Sequence, residues 1–188
     1  IMKRVIGLLW YILTPFLITA QTLSKDSTDH TIVLKEGKLS GTLFTPRQTQ
    51  KEPVVLIIAG SGPTDRNGNS TQLPGKNNSL LQLADSLVKS GIASLRYDKR
   101  GIGKSQFPGM REETMSFMDG VNDAVAWINW LREQGHKKIY IAGHSEGSLV
   151  GMLAASQTKV KGFISIAGAG RPIDQVLREQ IANGGGPD

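Results

Sequence analysis

Residues 138–142, Lys-Ile-Tyr-Ile-Ala, run into Gly143-His144-Ser145-Glu146-Gly147, and an apolar stretch from Ser148 to Gln157 follows. The first segment reads as a strand and the last as a helix. The five residues between them fit G-x-S-x-G, the pattern of a nucleophile elbow. A strand that turns this sharply into a helix holds its central residue in strained backbone and aims that side chain outward. The flanking positions crowd the neighbouring backbone, where only glycine fits. The helix that starts there directs its first N–H groups, and the positive end of its dipole, toward the place where an oxyanion would form. Ser145 is therefore the candidate nucleophile. Gly143 and Gly147 are the elbow glycines, and the Glu146 N–H is a candidate oxyanion donor. The plainer alternative is a Gly-rich strand–helix turn with an incidental serine.

Outward from the elbow, strands and helices alternate. Thr31 to Leu34 and Lys38 to Phe44 read as two strands with Gly37 turning between them. Val54 to Ala59 is a continuous apolar run, suited to a strand buried on both faces. Leu80, Leu83, Ala84, Leu87 and Val88 form a helical stripe that Gly91 stops. Ile92 to Tyr97 reads as a strand. Met118, Val121, Val125, Ile128 and Leu131 mark a helix ended by Gly135, and Gly162 to Ala167 is another strand. A last helix is expected from Ile173 to Ala182. Strands separated by helices mean βαβ units, hence an α/β fold with a doubly wound, mostly parallel sheet.

Composition narrows the classes. The chain has 188 residues, of which 39% are hydrophobic and 20% charged, with a formal net charge of +6 and no cysteine. Disulfide scaffolds and Cys-ligated metal sites are excluded. Lys3 and Arg4 precede a mostly apolar stretch, Val5 to Ile18, and Ile18-Thr19-Ala20 suits cleavage before Gln21. This pattern predicts a signal peptide over 1–20 and a secreted or periplasmic protein. The alternative is a retained membrane anchor, although a spanning helix needs about 20 apolar residues. Residues 21–188 then form one domain of net charge +4. Its basic residues, such as Lys35, Lys51, Lys76, Lys137, Lys138 and Lys159, are scattered, which argues against a nucleic-acid partner. No membrane partner is expected after cleavage.

A second loop belongs with the elbow. Gly60-Ser61-Gly62-Pro63 follows the buried strand at 54–59, and in a parallel sheet both loops lie at the C-terminal strand edge, where ligands bind. An oxyanion hole takes one N–H after the nucleophile and one from such a loop. Ser61 is the expected second donor, with Gly62 next. Pro63 cannot donate. Three other patterns fail. Asp65 breaks a G-x-G-x-x-G phosphate loop. Gly103-Lys104-Ser105 lacks the P-loop glycine, because position 98 is Asp. Asp65, Asn67 and Asn69 imitate a calcium loop, but Ser70 and Lys76 stand where it needs Gly and Glu. In the loop 98–108, Asp98 and Arg100 are expected to tie a tight turn permitted by Gly101 and Gly103. Asn69-Ser70-Thr71 and Asn77-Asn78-Ser79 are glycosylation sequons by pattern alone.

Together, Gly-Ser-Gly-Pro-Thr-Asp-Arg-Asn-Gly-Asn (60–69), Arg-Tyr-Asp-Lys-Arg-Gly-Ile-Gly-Lys-Ser (96–105) and Gly-His-Ser-Glu-Gly (143–147) resemble the α/β-hydrolase superfamily. The nearest branch is that of secreted bacterial esterases related to serine aminopeptidases and dienelactone hydrolases. The resemblance spans roughly residues 30–183. It implies Ser–His–Asp chemistry on a small-molecule ester or acyl substrate, without metal or other cofactor. Ser145 would attack the acyl carbonyl, the N–H groups of Ser61 and Glu146 would hold the oxyanion, and water would release the acyl-enzyme.

The same resemblance exposes a gap. Its acid and base should both follow Ser145, yet only 43 residues do and none is His. His30 is expected at the sheet's edge. His136 is expected on the surface at the far end of the strand that leads to Ser145. His144 adjoins the serine, but its side chain points away. Asp174 follows the strand at 162–167 and reads first as a helix N-terminal residue. General base and acid are thus absent from this chain. One expectation is a C-terminally truncated ester hydrolase lacking its last strands, inactive as it stands. A second is a non-catalytic binding module. A third is a half-domain that covers its open edge with a partner. Oligomeric state is open.

Overall fold

The computed structural model describes residues 25–47 and 53–183. The expected signal peptide at 1–20, Lys51 and the tail at 184–188 lie outside the described residues. The described chain builds six strands: β1 (Lys25–Val33), β2 (Lys38–Pro46), β3 (Val54–Ile58), β4 (Ala93–Tyr97), β5 (Ile139–His144) and β6 (Gly162–Ile166). Four α-helices connect and follow them: α1 (Ser79–Lys89), α2 (Phe117–Glu133), α3 (Glu146–Gln157) and α4 (Ile173–Ala182). The strands form one sheet in the order β1-β2-β4-β3-β5-β6.

β4, β3, β5 and β6 pair in parallel. β1 and β2 are antiparallel to each other, and β2 is antiparallel to β4. The expected doubly wound, mostly parallel sheet is thus present, extended by a hairpin. β1 is longer than its apolar residues suggest. Lys25 to His30 carries almost no hydrophobic signal, and the strand is held there by its backbone register with β2 and by polar pairs across the edge. Thr42 Oγ1 donates to Asp29 at 2.6 Å, Arg47 pairs with Asp26, and Lys25 pairs with Asp85 of α1.

Alternation along β3 sends Val54, Leu56 and Ile58 to one face and Val55, Ile57 and Ala59 to the other. On the first face lie α2 and α3, with Val121, Trp127, Ile128, Leu131, Val150 and Ala154 against Leu95 and Ile141. On the second lies α1, with Leu80, Ala84 and Val88 against Phe44 and Ala142. Helices on both faces are what a strand buried on both sides requires. α2 starts at a capping box: Ser116 Oγ accepts from the backbone of the first turn, and Asp119 Oδ2 accepts from the Ser116 N–H. Among the described residues, no helix is long and apolar enough to cross a membrane.

The loops at the C-terminal strand edge are bound together by one buried carboxylate. Asp98, directly after β4, accepts from the Arg66 backbone N–H at 2.8 Å, from the Arg66 guanidinium at 2.6 Å and from the Lys104 N–H at 2.8 Å. Asp98 therefore does tie its own turn. Arg100 does not share that task, contrary to expectation. Its guanidinium reaches Asp123 and Asp119 of α2 instead and fastens the turn to the helix. Removing Asp98 would leave the buried Arg66 guanidinium with two hydroxyl partners, Ser40 and Thr42, and only a long ion pair to the half-exposed Asp29 at 3.5 Å. Asp98→Ala is expected to destabilise the fold by about 3–5 kcal/mol, read from urea unfolding. A loss below 1 kcal/mol would show that the carboxylate is replaceable.

Candidate active site

Ser145 lies between β5 and α3 at φ 52°, ψ −120°. This region is costly for any residue with a Cβ. Its neighbours explain why the backbone stays there. A Cβ on Gly143 would collide with the Gly147 carbonyl group and the Ser148 backbone, and one on Gly147 would stand 2.5 Å from the carbonyl oxygens of Ile58 and Ala59. Strand β5, the first turn of α3 and the end of β3 thus approach at backbone contact, which only glycine allows. The turn is further pinned by polar bonds. The Ser145 N–H donates to the Ile166 carbonyl of β6 at 2.9 Å. Ser148 Oγ donates to the Gly143 carbonyl at 2.6 Å.

Glu146 opens α3, so its N–H has no carbonyl four residues back within the helix to donate to. Gly60, two residues past β3, is buried against the elbow: a Cβ there would lie 3.3 Å from the Ser145 Cβ and 3.1 Å from His144 Nδ1. The structure therefore brings the Gly60–Gly62 loop and the Ser145–Gly147 turn side by side. Among the described residues, the N–H groups of Ser61 and Gly62 donate to no protein acceptor. Gly62 takes φ 70°, in the left-handed region.

The remaining sequence candidates are scattered. His30 lies on β1, with its ring 4.6 Å from that of Trp130 and its Nε2 at 2.8 Å from Thr28 Oγ1. His136 precedes β5, so the whole strand separates it from Ser145. It is half-buried rather than a surface residue, and burial holds its imidazole below the usual histidine range. His144 is exposed beside the elbow. Asp174 falls in the first turn of α4, exposed, as its helix-terminal reading anticipated. None of these is brought into a hydrogen bond with Ser145. The described residues hold no cluster of three or more His, Asp or Glu able to bind a metal.

A cavity of about 520 Å³ opens beside the elbow, between Gly60 and His144 on one side and Asn69, Lys76, Asn77 and Ser79 on the other. Its wall is the loop 60–78, organised by the residues that imitate a calcium site. Asp65 Oδ1 accepts from the N–H groups of Asn67 and Asn69, and Asn69 exchanges side-chain and backbone bonds with Asn78. Those carboxylate and amide groups fold the loop. Asn69 is buried by the same bonds, so the first sequon offers no free amide.

Three comparisons bear on this arrangement. The family described as "Serine aminopeptidase, S33" matches residues 76–183, more than half of the chain. Esterase EstD of Thermotoga maritima is 28% identical over 145 residues, covering 76% of this chain and 33% of that protein. The chain thus spans about a third of the length of that curated relative. An esterase of Pyrococcus furiosus superposes with a TM-score of 0.67 at 21% identity, over 99% of this chain and 66% of that one. A lidless α/β serine hydrolase of Xanthomonas campestris gives 0.59 at 26% identity, over 78% and 64%.

Strain at the serine predicts a difference between two substitutions. Glycine accepts φ 52°, ψ −120° where alanine does not, so Ser145→Gly is expected to be more stable than Ser145→Ala by about 1 kcal/mol, measured by chemical denaturation. Equal stabilities would mean that the turn relaxes once the hydroxyl is gone.

Proposed function

The chain belongs to the serine aminopeptidase S33 family of α/β hydrolases, and from that membership we propose a serine hydrolase that cleaves carboxylic esters, with amides as the second class, through Ser145. The observation that supports this reading is the strained Ser145, held between β5 and α3 with Gly60 pressed against it. Attack of Oγ on an acyl carbonyl would place the developing oxyanion before the N–H groups of Glu146 and Ser61, with Gly62 beside them. The leaving alcohol departs with a proton, and water then releases the acyl group.

A serine hydroxyl needs a base to attack at neutral pH. The three histidines are His30, His136 and His144, and none bonds to Ser145. We therefore place the general base and its orienting acid outside these 188 residues and infer that the chain by itself turns over poorly. The cavity beside the elbow supports a small-molecule substrate with a polar portion facing Asn77 and Lys76. Export through residues 1–20 is part of the same proposal.

The 188-residue chain is expected to hydrolyse p-nitrophenyl acetate no faster than about 10³-fold over water, the level an oxyanion hole sustains alone. An enzyme-like turnover of about 10 s⁻¹ that Ser145→Ala abolishes would reveal a base within the chain. The product of the natural reading frame is expected to take up a fluorophosphonate probe at Ser145. Labelling that survives Ser145→Ala would move the nucleophile to another residue, and no labelling of the unaltered protein would favour a binding module. Exported protein is expected to begin at Gln21 on N-terminal sequencing, and one retaining Lys3 and Arg4 would overturn the cleavage.

A further inference from the structure

One charged side chain reaches the proposed site without a role in it. Lys99 follows β4 and Asp98, and β4 is the neighbour of β3 in the sheet. The loop after β4 therefore runs beside the loop after β3. Lys99 Nζ crosses between them and donates to the Gly60 carbonyl at 2.7 Å and to the Gly62 carbonyl as well. A single ammonium carries three donors on one atom, so it can bind two converging carbonyls. Burial lowers the Lys99 pKa, and the nearby Glu146 carboxylate opposes that shift.

The geometry of the peptide group turns this contact into an orientation. In a planar trans peptide the C=O and N–H bonds point in opposite directions. Fixing the Gly60 carbonyl on Lys99 fixes the Ser61 N–H on the opposite side. The Gly62 N–H is held from elsewhere, because Thr64 Oγ1 donates to the Ser61 carbonyl at 3.0 Å; the Gly62 carbonyl, whose peptide with Pro63 carries no N–H, also accepts from the Thr64 N–H at 2.9 Å. Gly-Ser-Gly is otherwise a soft sequence, with φ 70° at Gly62 and no side chain to pack there. Among the described residues, both Ser61 and Gly62 N–H groups remain without protein acceptors, as donors awaiting a ligand must.

We infer that Lys99 is a positioning residue of this site: its ammonium clamps the carbonyls of Gly60 and Gly62, so that the Ser61 N–H is oriented toward the oxyanion before substrate arrives. This role rests on the assignment of Ser145 as nucleophile. Preorganised donors act in the transition state more than in the ground state, so the clamp belongs to kcat rather than to KM.

The test has two arms. In the 188-residue chain, Lys99→Met is expected to speed amide hydrogen exchange at Thr64, whose N–H is bonded to the Gly62 carbonyl that Lys99 also holds, by about tenfold while the amides of β3 and β5 keep their protection. In the product of the natural reading frame, the same change is expected to lower kcat on p-nitrophenyl acetate by about a hundredfold with KM little changed. Lys99→Gln, which keeps a shorter donor, is expected to fall between the two and serves if Lys99→Met fails to fold. Unchanged exchange in the loop, exchange raised evenly across the chain, or a loss confined to KM would each overturn the inference. Turnover that persists in Ser145→Ala would instead overturn the nucleophile assignment and the catalytic role of Lys99 with it, while the exchange arm still reports the hold of Lys99 on the loop.

Discussion

Everything at the C-terminal edge of the sheet depends on how closely α3 meets β3 and β5. Gly143 and Gly147 allow backbone to touch backbone, with the Ile58 and Ala59 carbonyls against the first turn of the helix. At that separation no side chain can intervene, so the helix has no freedom to slide or tilt. The strained conformation of Ser145 follows from the packing around it. A residue at positive φ persists because two glycines, a bond to Ile166 and a bond from Ser148 leave the chain no other path.

Around that fixed turn, long-range polar bonds hold the loops. Asp98 joins the loop after β3 to the turn after β4, and Arg100 joins that turn to α2 through Asp123. Burial raises the Asp123 carboxyl, while the Arg100 guanidinium opposes the shift. The pair is thus worth most as a fastening whose removal leaves one charge stranded, and less as a source of net stability. Lys99 adds a third tie from the same short turn, so the three consecutive side chains after Tyr97, those of Asp98, Lys99 and Arg100, fix three different neighbours. A turn with so many partners is rigid without secondary structure of its own.

The order and type of most elements were legible because each carried a local signal. The apolar run 54–59 specified a doubly buried strand, the stripe at Leu80–Val88 a helix, and G-x-S-x-G between strand and helix a turn that few backbones accept. β1 was legible only at its apolar end, because Lys25 to His30 owes its strand to a partner rather than to its own pattern. The sheet order, with β4 between β2 and β3, has no local signature. Nor did the partners of Arg66, Lys99 and Arg100, which lie 19 to 39 residues away in sequence. Asp98 was read correctly as a tie within its turn, and its larger role appeared only when the fold brought Arg66 to it. The polar spacing at Asp65, Asn67 and Asn69 gave no sign that these residues fold the cavity wall.

The bond from the Ser145 N–H to Ile166 has a consequence in time. A ribosome delivers β5 and its serine first, and the carbonyl that pins the turn emerges only after about twenty more residues have been made. β5 also pairs with β3, delivered some eighty residues earlier, so the nascent chain must keep that apolar strand available through the synthesis of α1, β4 and α2. The elbow is therefore a late event, sealed when the border strand arrives.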